Sequence, residues 1–394
     1  MHKGTGLLLF LIIFVFVSFS LVYVFHEQFI ASFFNHNDTV VDIGVTSEDV
    51  DVFSKEEKSL VVVEKPIQIV ADNLEIPWEI AFLSDGSILV TQRLGSLIRI
   101  YPDFESVIDV EGVVQQGEGG LLGMALHPDF ETNQWIYLYQ TTRSDNGLIN
   151  RIERYRFDLS NNQLTEEEII LDDIPGAIYH DGGRIEFGPD GFLYVTTGDA
   201  TDLETAQDVN SLAGKILRIG DDGSIPEDNP FENKVWSYGH RNPQGLAWDN
   251  QGRLWVAEHG PSGPQTGFDE VNLIEMGGNF GWPIVQGDEN RENMTAPVIH
   301  SGSDATWAPA DIEVLQDRVL FAGLRGEALY SAEIEANGLV RLRANFQKEY
   351  GRIRAVRLGP DGWIYFTTSN TDGRGRALDG DDKLIKVSPD VFFE

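Results

Sequence analysis

His180 is the side chain in this sequence best suited to exchanging a proton near neutral pH. It opens the run His180-Asp181-Gly182-Gly183-Arg184, whose glycines permit close backbone approach to a ligand. Nineteen residues on, Asp199 ends the strand-like run Tyr194-Val195-Thr196-Thr197-Gly198-Asp199. If the two runs are arms of one hairpin, its open end brings Asp199 to the His180 ring, where a carboxylate orients the imidazole and favours its charged form. The bland reading of His180 is a hydrogen-bonded loop histidine. A second chemistry comes from Arg241-Asn242, Arg352 and Arg354, which lie far apart in sequence but each just ahead of a similar apolar run. Guanidinium groups pair bidentately with carboxylates, so a convergent set would hold a small planar polyanion; the competing reading is salt bridges between neighbouring structural units. A third segment runs from Glu258-His259-Gly260-Pro261 through Asp269-Glu270 to Gly277-Gly278-Asn279-Phe280-Gly281-Trp282-Pro283. Its acids and Gly/Pro-flanked carbonyls are hard oxygen donors that suit Ca²⁺ better than zinc.

Such scattered residues need elements that bring them together, and the sequence repeats one. An apolar strand, a turn and a second strand recur at 81–90, 125–138, 185–195, 246–256, 316–321 and 356–366. Asp-Gly turns at several copies suit tight hairpins. Six copies between residue 66 and the C-terminus leave about 55 residues each, enough for a four-stranded propeller blade with long loops. The expected fold is therefore all-β, a six-bladed β-propeller; a sandwich or jelly roll would not need this recurrence. In a propeller, equivalent positions ring the central channel. The position ahead of the repeated strand reads Trp78, Glu118, His180 with Arg184, Arg241 with Asn242, Trp307, and Arg352 with Arg354.

Composition removes other classes. With 29 Lys+Arg against 63 Asp+Glu the net charge is −34, which argues against nucleic-acid binding. Cysteine is absent, which removes disulfides, thiolate nucleophiles, Cys-ligated zinc and iron–sulfur clusters. P-loop, G-x-S-x-G and H-E-x-x-H motifs are missing, and Gly117–Gly123 misses a dinucleotide loop by one place. At the N-terminus, Leu7 to Phe25 is apolar apart from Ser18 and Ser20. Its length, at about 1.5 Å per residue, nearly crosses a bilayer core of about 30 Å. Residues 1–34 are expected to be a signal anchor, with a cleaved signal as the alternative. Residues 35–65 then form a polar, acidic linker, with Leu60–Val63 a candidate strand, and 66–394 the propeller. Lys3 on the inner side puts that domain outside the cytoplasm.

At these residues the chain resembles the soluble, pyrroloquinoline-quinone (PQQ)-dependent sugar dehydrogenases of the glucose/sorbosone dehydrogenase family. Gly119–Gly123 with His127-Pro128-Asp129-Phe130, the stretch His180 to Asp199, Tyr238 to Leu246, and Glu270 to Pro283 carry the resemblance, over roughly residues 66–390. It implies oxidation of the C1 hydroxyl of an aldose to a lactone, with electrons passed to an unidentified acceptor. His180 becomes the general base and Asp199 its partner. Arg241 joins the catalytic set and, with Asn242, Arg325, Arg352 and Arg354, contacts the quinone. Backbone oxygens of Gly260 and Pro261 would bind the Ca²⁺ beside the quinone, and Glu270 and Phe280 a second, structural Ca²⁺. Two positions depart from the family pattern: Glu118 replaces a Gln at the cofactor, and Tyr179 precedes the histidine where an acid is usual, with Asp181 following it. Alternatives on the same architecture are a Ca²⁺-dependent lactonase, against which the arginine set argues, and a non-catalytic binding propeller.

If residues 1–34 anchor the chain, it will sediment with membranes and be released by protease cutting within 35–65. A soluble chain whose N-terminus begins near residue 30 would show signal removal instead.

Overall fold

The computed structural model describes residues 66–393, apart from 103, 262–266 and 337. The expected anchor and linker lie outside the described residues. Among the described residues no helix is long and apolar enough to cross a membrane.

Among the described residues, twenty-four strands form six antiparallel four-stranded sheets. The strand β1 (Ile67–Ala71) comes first in the chain but belongs to the last sheet. Blade 1 is β2 (Pro77–Phe82), β3 (Ile88–Gln92), β4 (Ser96–Ile100) and β5 (Glu105–Asp109). Blade 2 is β6 (Leu121–Leu126), β7 (Trp135–Ser144), β8 (Gly147–Asp158) and β9 (Gln163–Pro175). Blade 3 is β10 (Ile185–Phe187), β11 (Leu193–Thr197), β12 (Lys215–Ile219) and β13 (Val235–Tyr238). Blade 4 is β14 (Pro243–Trp248), β15 (Leu254–Glu258), β16 (Glu270–Ile274) and β17 (Ile299–His300). Blade 5 is β18 (Pro309–Leu315), β19 (Arg318–Gly323), β20 (Ala328–Glu335) and β21 (Gly338–Asn345). Blade 6 is β22 (Ile353–Leu358), β23 (Ile364–Thr368), β24 (Leu384–Val387) and, outermost, β1.

The repeated hairpin of the sequence is the first two strands of every blade. Its turns follow their residues: Gly191, after Asp190, sits at φ +81°, where a Cβ would be strained. These strands alternate little because both faces are covered; β3, β11, β15 and β23 are buried at every position. Each face packs on a neighbouring blade. Leu89 and Leu97 meet Leu121 and Leu138 between blades 1 and 2, and Val256 meets Ile216 between blades 3 and 4. Similarly, Leu320 and Leu329 meet Phe366 and Ile385 between blades 5 and 6. The core is thus a ring of inter-blade seams, and no blade could bury its apolar faces alone.

At the inner ends of the blades the packing is ionic. Arg184, just ahead of β10, and Arg357 of β22 meet Glu79 of β2 and Asp311 of β18. Arg184 pairs with Glu79, and its Nε lies 3.2 Å from Asp311. Arg357 reaches Glu79 and Asp311, each at 3.0 Å. Arg184 also donates to the carbonyls of Gln244 and Ala310 at 2.9 Å and lies over the Trp78 ring at 4.1 Å. Glu79, Arg184 and Asp311 are withdrawn from water. Arg184 therefore fulfils the salt-bridge reading of the ring arginines. It joins blades and does not line a ligand cavity.

Asp311→Ala would leave two buried guanidinium groups short of a carboxylate, and breaking such a cluster costs about 3–5 kcal/mol. Denaturant unfolding of the variant should show that loss; a change below about 1 kcal/mol would mean water relieves the charges.

Candidate active site

Above the ionic cluster, loops between blades surround a cavity of about 460 Å³. Glu118, His180, Arg241, Asn242, Gly260, Pro261, Arg325 and Arg352 all line it. Arg354 and Trp78 line a small recess that shares Glu118, His259, Leu324 and Arg374 with it. The ring read from the repeat is therefore real except at Arg184 and at Trp307. Trp307 is buried against Phe321 and Tyr330, and its neighbours Thr306 and Ala308 face the cavity instead.

The hairpin argument holds at His180. Its Nδ1 lies 2.7 Å from Asp199 Oδ1, while Nε2 faces an Arg241 guanidinium nitrogen at 2.8 Å. Arg241 can only donate, so Nε2 carries the lone pair and Nδ1 the proton given to Asp199. Asp199 is fixed in turn: Trp282 Nε1 donates to its Oδ2 at 2.8 Å and the Thr201 N–H to its Oδ1 at 2.8 Å. Its carboxyl is fully buried. Burial alone would raise its pKa, but His180 and these donors outweigh burial and hold it below the ordinary carboxylate value. Gly198 allows the approach, since a Cβ there would sit 1.9 Å from the His180 carbonyl oxygen.

The same geometry recurs in other blades. A residue ahead of or at the start of the first strand meets one at the end of, or just beyond, the second. The Arg241 N–H donates to Glu258 Oε1 at 2.5 Å, and Glu258 Oε2 lies 2.8 Å from His240 Nδ1. In blade 6, Arg352 donates to Asp372 Oδ2 at 2.7 Å, and Arg354 lies 3.8 Å from the same oxygen. Arg93 is buried beside them and donates to the Asp372 carbonyl at 3.5 Å. Three guanidinium groups thus gather about one carboxylate. Burial, reinforced by Arg93 and Arg352, pushes the Arg354 pKa down to about 9 even with Asp372 opposing it. Among the described residues Arg93 Nε and His259 Nε2 are buried without a hydrogen-bond partner. Arg325 stands exposed at the mouth.

Glu118 does not bring a bare charge to this cavity. Its Oε1 pairs with Arg374 at 2.7 Å and its Oε2 accepts the His180 N–H at 3.0 Å. Burial raises its pKa, but His259, the His180 N–H and Arg374 together bring it down to about 2. Asp181 is buried away from the His180 ring and accepts from Asn150 and the Ala177 N–H. Asn242 is buried, and its Oδ1 accepts the Gly182 N–H at 3.0 Å.

Asp372 is a site residue that the sequence reading passed over, and Asp269, read there as an oxygen donor for a metal, has another duty. Asp269 saturates its oxygens with the N–H groups of Gly260, Trp307 and Ala308 and the Thr306 hydroxyl, at 2.6–2.9 Å. It clamps two walls of the cavity and has little left for a metal. Glu270 and Phe280 lie outside the cavity. Glu270 accepts from Asn272 at 3.2 Å, and burial, then nearby Glu258, push its pKa up to about 8. Phe280 stacks on His240 at 4.8 Å. Among the described residues no group of three or more His, Asp or Glu is arranged to hold a metal.

A model of the glucose / sorbosone dehydrogenase family matches residues 74–379. The chain belongs to that family. It is 31% identical over 359 residues to aldose sugar dehydrogenase YliI of Escherichia coli, covering 82% of this chain and 92% of that protein. It is 37% identical over 255 residues to quinoprotein glucose dehydrogenase B of Acinetobacter calcoaceticus, covering 56% and 52% respectively. Among solved structures, the PQQ-bound form of aldose sugar dehydrogenase from Streptomyces coelicolor superposes with a TM-score of 0.76 at 39% identity, over 82% of this chain and 97% of that one. The matched residues include every cavity residue named above.

Because the folded Glu118 carboxyl is held below its ordinary 4.5, its stabilisation is complete above that pH and is lost as pH falls towards about 2. Glu118→Gln should therefore lower the melting temperature at pH 7 by a few degrees and hardly at all at pH 2.5. An undiminished difference at pH 2.5 would show that the Arg374 pair contributes nothing.

Proposed function

We propose that this protein oxidises the C1 hydroxyl of aldose sugars to lactones, using PQQ and Ca²⁺. One observation carries the reading: a histidine whose Nε2 lone pair faces Arg241 and whose ring is held by a buried carboxylate, on the wall of a cavity lined by arginines. The family and its named relatives support the same class of activity.

The residues present fit a flat, anionic cofactor. Arg352 and Arg354 share a single carboxylate, and the Arg93 Nε and His259 Nε2 have no partner of their own. That leaves donors and positive charge for carboxylates arriving from solution. Arg241, Asn242 and Arg325 complete the cofactor set, with Arg374 neutralising Glu118. For Ca²⁺, Gly260 and Pro261 offer backbone oxygens at the cavity wall, and the clamp of Asp269 on the Gly260 N–H fixes that backbone. A second Ca²⁺ at Glu270 and the Phe280 backbone is supported by the buried, unpartnered Asn272 Oδ1 beside two carboxylates, an oxygen-rich environment short of a cation.

When bound, the quinone supplies the acceptor for the C1 hydride and Ca²⁺ polarises it. The protein supplies proton management and position. His180 Nε2 exchanges its bond from Arg241 for one from the sugar hydroxyl and takes that proton as the C–H bond breaks. Asp199 keeps the ring in the productive tautomer and compensates the imidazolium charge that forms. Arg241, relieved of His180, remains over the site as a donor. Trp282 shields the Asp199 carboxylate from water. Electrons leave to an acceptor not yet identified. The extracytoplasmic, membrane-anchored location of the domain belongs to the same proposal and rests on residues 7–25.

Purified protein loaded with PQQ and Ca²⁺ should reduce a dye only when an aldose is present. His180→Gln should keep the fold and quinone affinity but lose about 10²–10⁴-fold in turnover. Activity within about threefold of wild type would remove His180 from the base role.

A further inference from the structure

Lys215 is the first residue of β12 and is wholly buried, in a part of the blade that the cavity does not reach. An interior ammonium without a contacting carboxylate is costly, and burial pulls its pKa down to about 7, opposed only by the charge of Asp208. The sequence nevertheless keeps a cation here, and its surroundings are built to hold one. Its three N–H groups meet three backbone carbonyls: Ala213 at 2.5 Å, Thr205 at 2.7 Å and Ala206 at 3.1 Å. The Thr205 and Ala206 carbonyls belong to a one-turn 3₁₀ helix, Leu203–Gln207, within the loop that leaves Asp199 and returns to β12.

That turn is tied to the active site in three directions. Gln207, next to Ala206, donates to the Trp282 carbonyl at 2.6 Å and to Asn279 at 3.1 Å, and Trp282 is the residue whose indole N–H caps Asp199. The Ala206 carbonyl also accepts the Gly239 N–H at 2.8 Å, two residues before Arg241. At the loop's end, the Gly214 N–H donates to the Gly198 carbonyl at 2.8 Å, one residue before Asp199. Few apolar side chains hold the loop by packing: Ala206 and Ala213 are its buried hydrophobic residues, and Leu212 packs half-buried against the core.

We propose that Lys215 is a positioning residue whose ammonium serves as a built-in cation, gathering the loop carbonyls so that Trp282 and Gly198 present Asp199 to His180. The catalytic part of this inference rests on the base role given to His180 above; the structural part does not. Lys215 touches no reacting atom in this account. A misplacement of about 1 Å at the catalytic pair can cost about 10²-fold, so the effect belongs in turnover more than in sugar affinity.

The full chain carrying Lys215→Met or Lys215→Ala tests this, with two readouts that need no sugar oxidation. In ¹⁵N-tryptophan-labelled protein without cofactor, the Trp282 indole N–H resonance should move in both variants. Methylammonium chloride should return it towards the wild-type position in Lys215→Ala, whereas sodium chloride at equal strength should not. In loaded enzyme, kcat should fall about 10–100-fold with KM within about threefold, and methylammonium should restore it. An unmoved indole resonance together with kcat within threefold of wild type would overturn the proposal, even if the melting temperature fell. Should neither Lys215 variant fold, Gln207→Ala decides: it cuts the link from the loop to Trp282 while leaving Lys215 in place. The proposal requires the same indole shift, and an unmoved resonance overturns it. Wild-type protein that oxidises no aldose would sink the functional reading, and the resonance and its rescue would still decide the role of Lys215.

Discussion

Two guanidinium groups and two carboxylates meet where the first strands of the blades converge, and three of the four are sealed from water. Each ion taken there from solvent is expensive, and only mutual satisfaction makes the arrangement tolerable. Its members come from blades 1, 3, 5 and 6, so it can form only when those blades stand at their proper angles. The seams of apolar side chains hold neighbours together, but through Arg184 the ionic cluster also ties blade 3 to blades 1 and 5, which are not its neighbours. The cavity inherits its geometry from that registration, because His180 is four residues from Arg184 and Arg352 five from Arg357 in the chain.

The cluster also separates two uses of arginine that look alike in the sequence. Arg184 and Arg357 find Glu79 and Asp311 between them, with Glu186 also 3.7 Å from Arg357, and are spent on architecture. Arg93, Arg352 and Arg354 find one, Asp372, and retain positive charge. In a protein of net charge −34 this is a local reversal of sign. Screening confines surface charge to roughly 8–10 Å at physiological salt, so an anion within the cavity responds to the arginines more than to the acidic exterior.

Much of this was legible beforehand because a propeller writes its fold as a repeat. The hairpins predicted the blades, and the open end of one hairpin predicted the meeting of His180 with Asp199. The same rule, applied to blade 6, leads from Arg352 to Asn370, which follows β23 as Asp199 follows β11 and accepts the Arg352 N–H at 2.9 Å; Asp372 lies two residues further on. What stayed hidden depends on pairings between distant blades. Nothing near Arg184 announces Glu79 or Asp311, so its structural duty could not be told from the ligand-facing duty of Arg241. Asp269 reads as a metal-type oxygen donor until the N–H groups of residues 307 and 308, from the next blade, take up its oxygens. Lys215 looks like an ordinary strand lysine, because its partners are carbonyls and carbonyls have no signature in a sequence.

Closure of the ring by β1 has a consequence for the order of assembly. Ile67 lies opposite Val387, so the first described strand is completed by the last. During synthesis β1 leaves the ribosome early and must wait through the making of five blades before its partner exists. A waiting strand with open N–H and C=O edges is a template for wrong pairing, and contacts between chain ends are the slowest to form. Strand β1 is short and follows directly on Lys65-Pro66, a composition that limits what else it can recruit in the interval. The inner hairpins can condense one after another as they are made, whereas the completed ring, and with it the full wall of the cavity, must wait until β24 has been made.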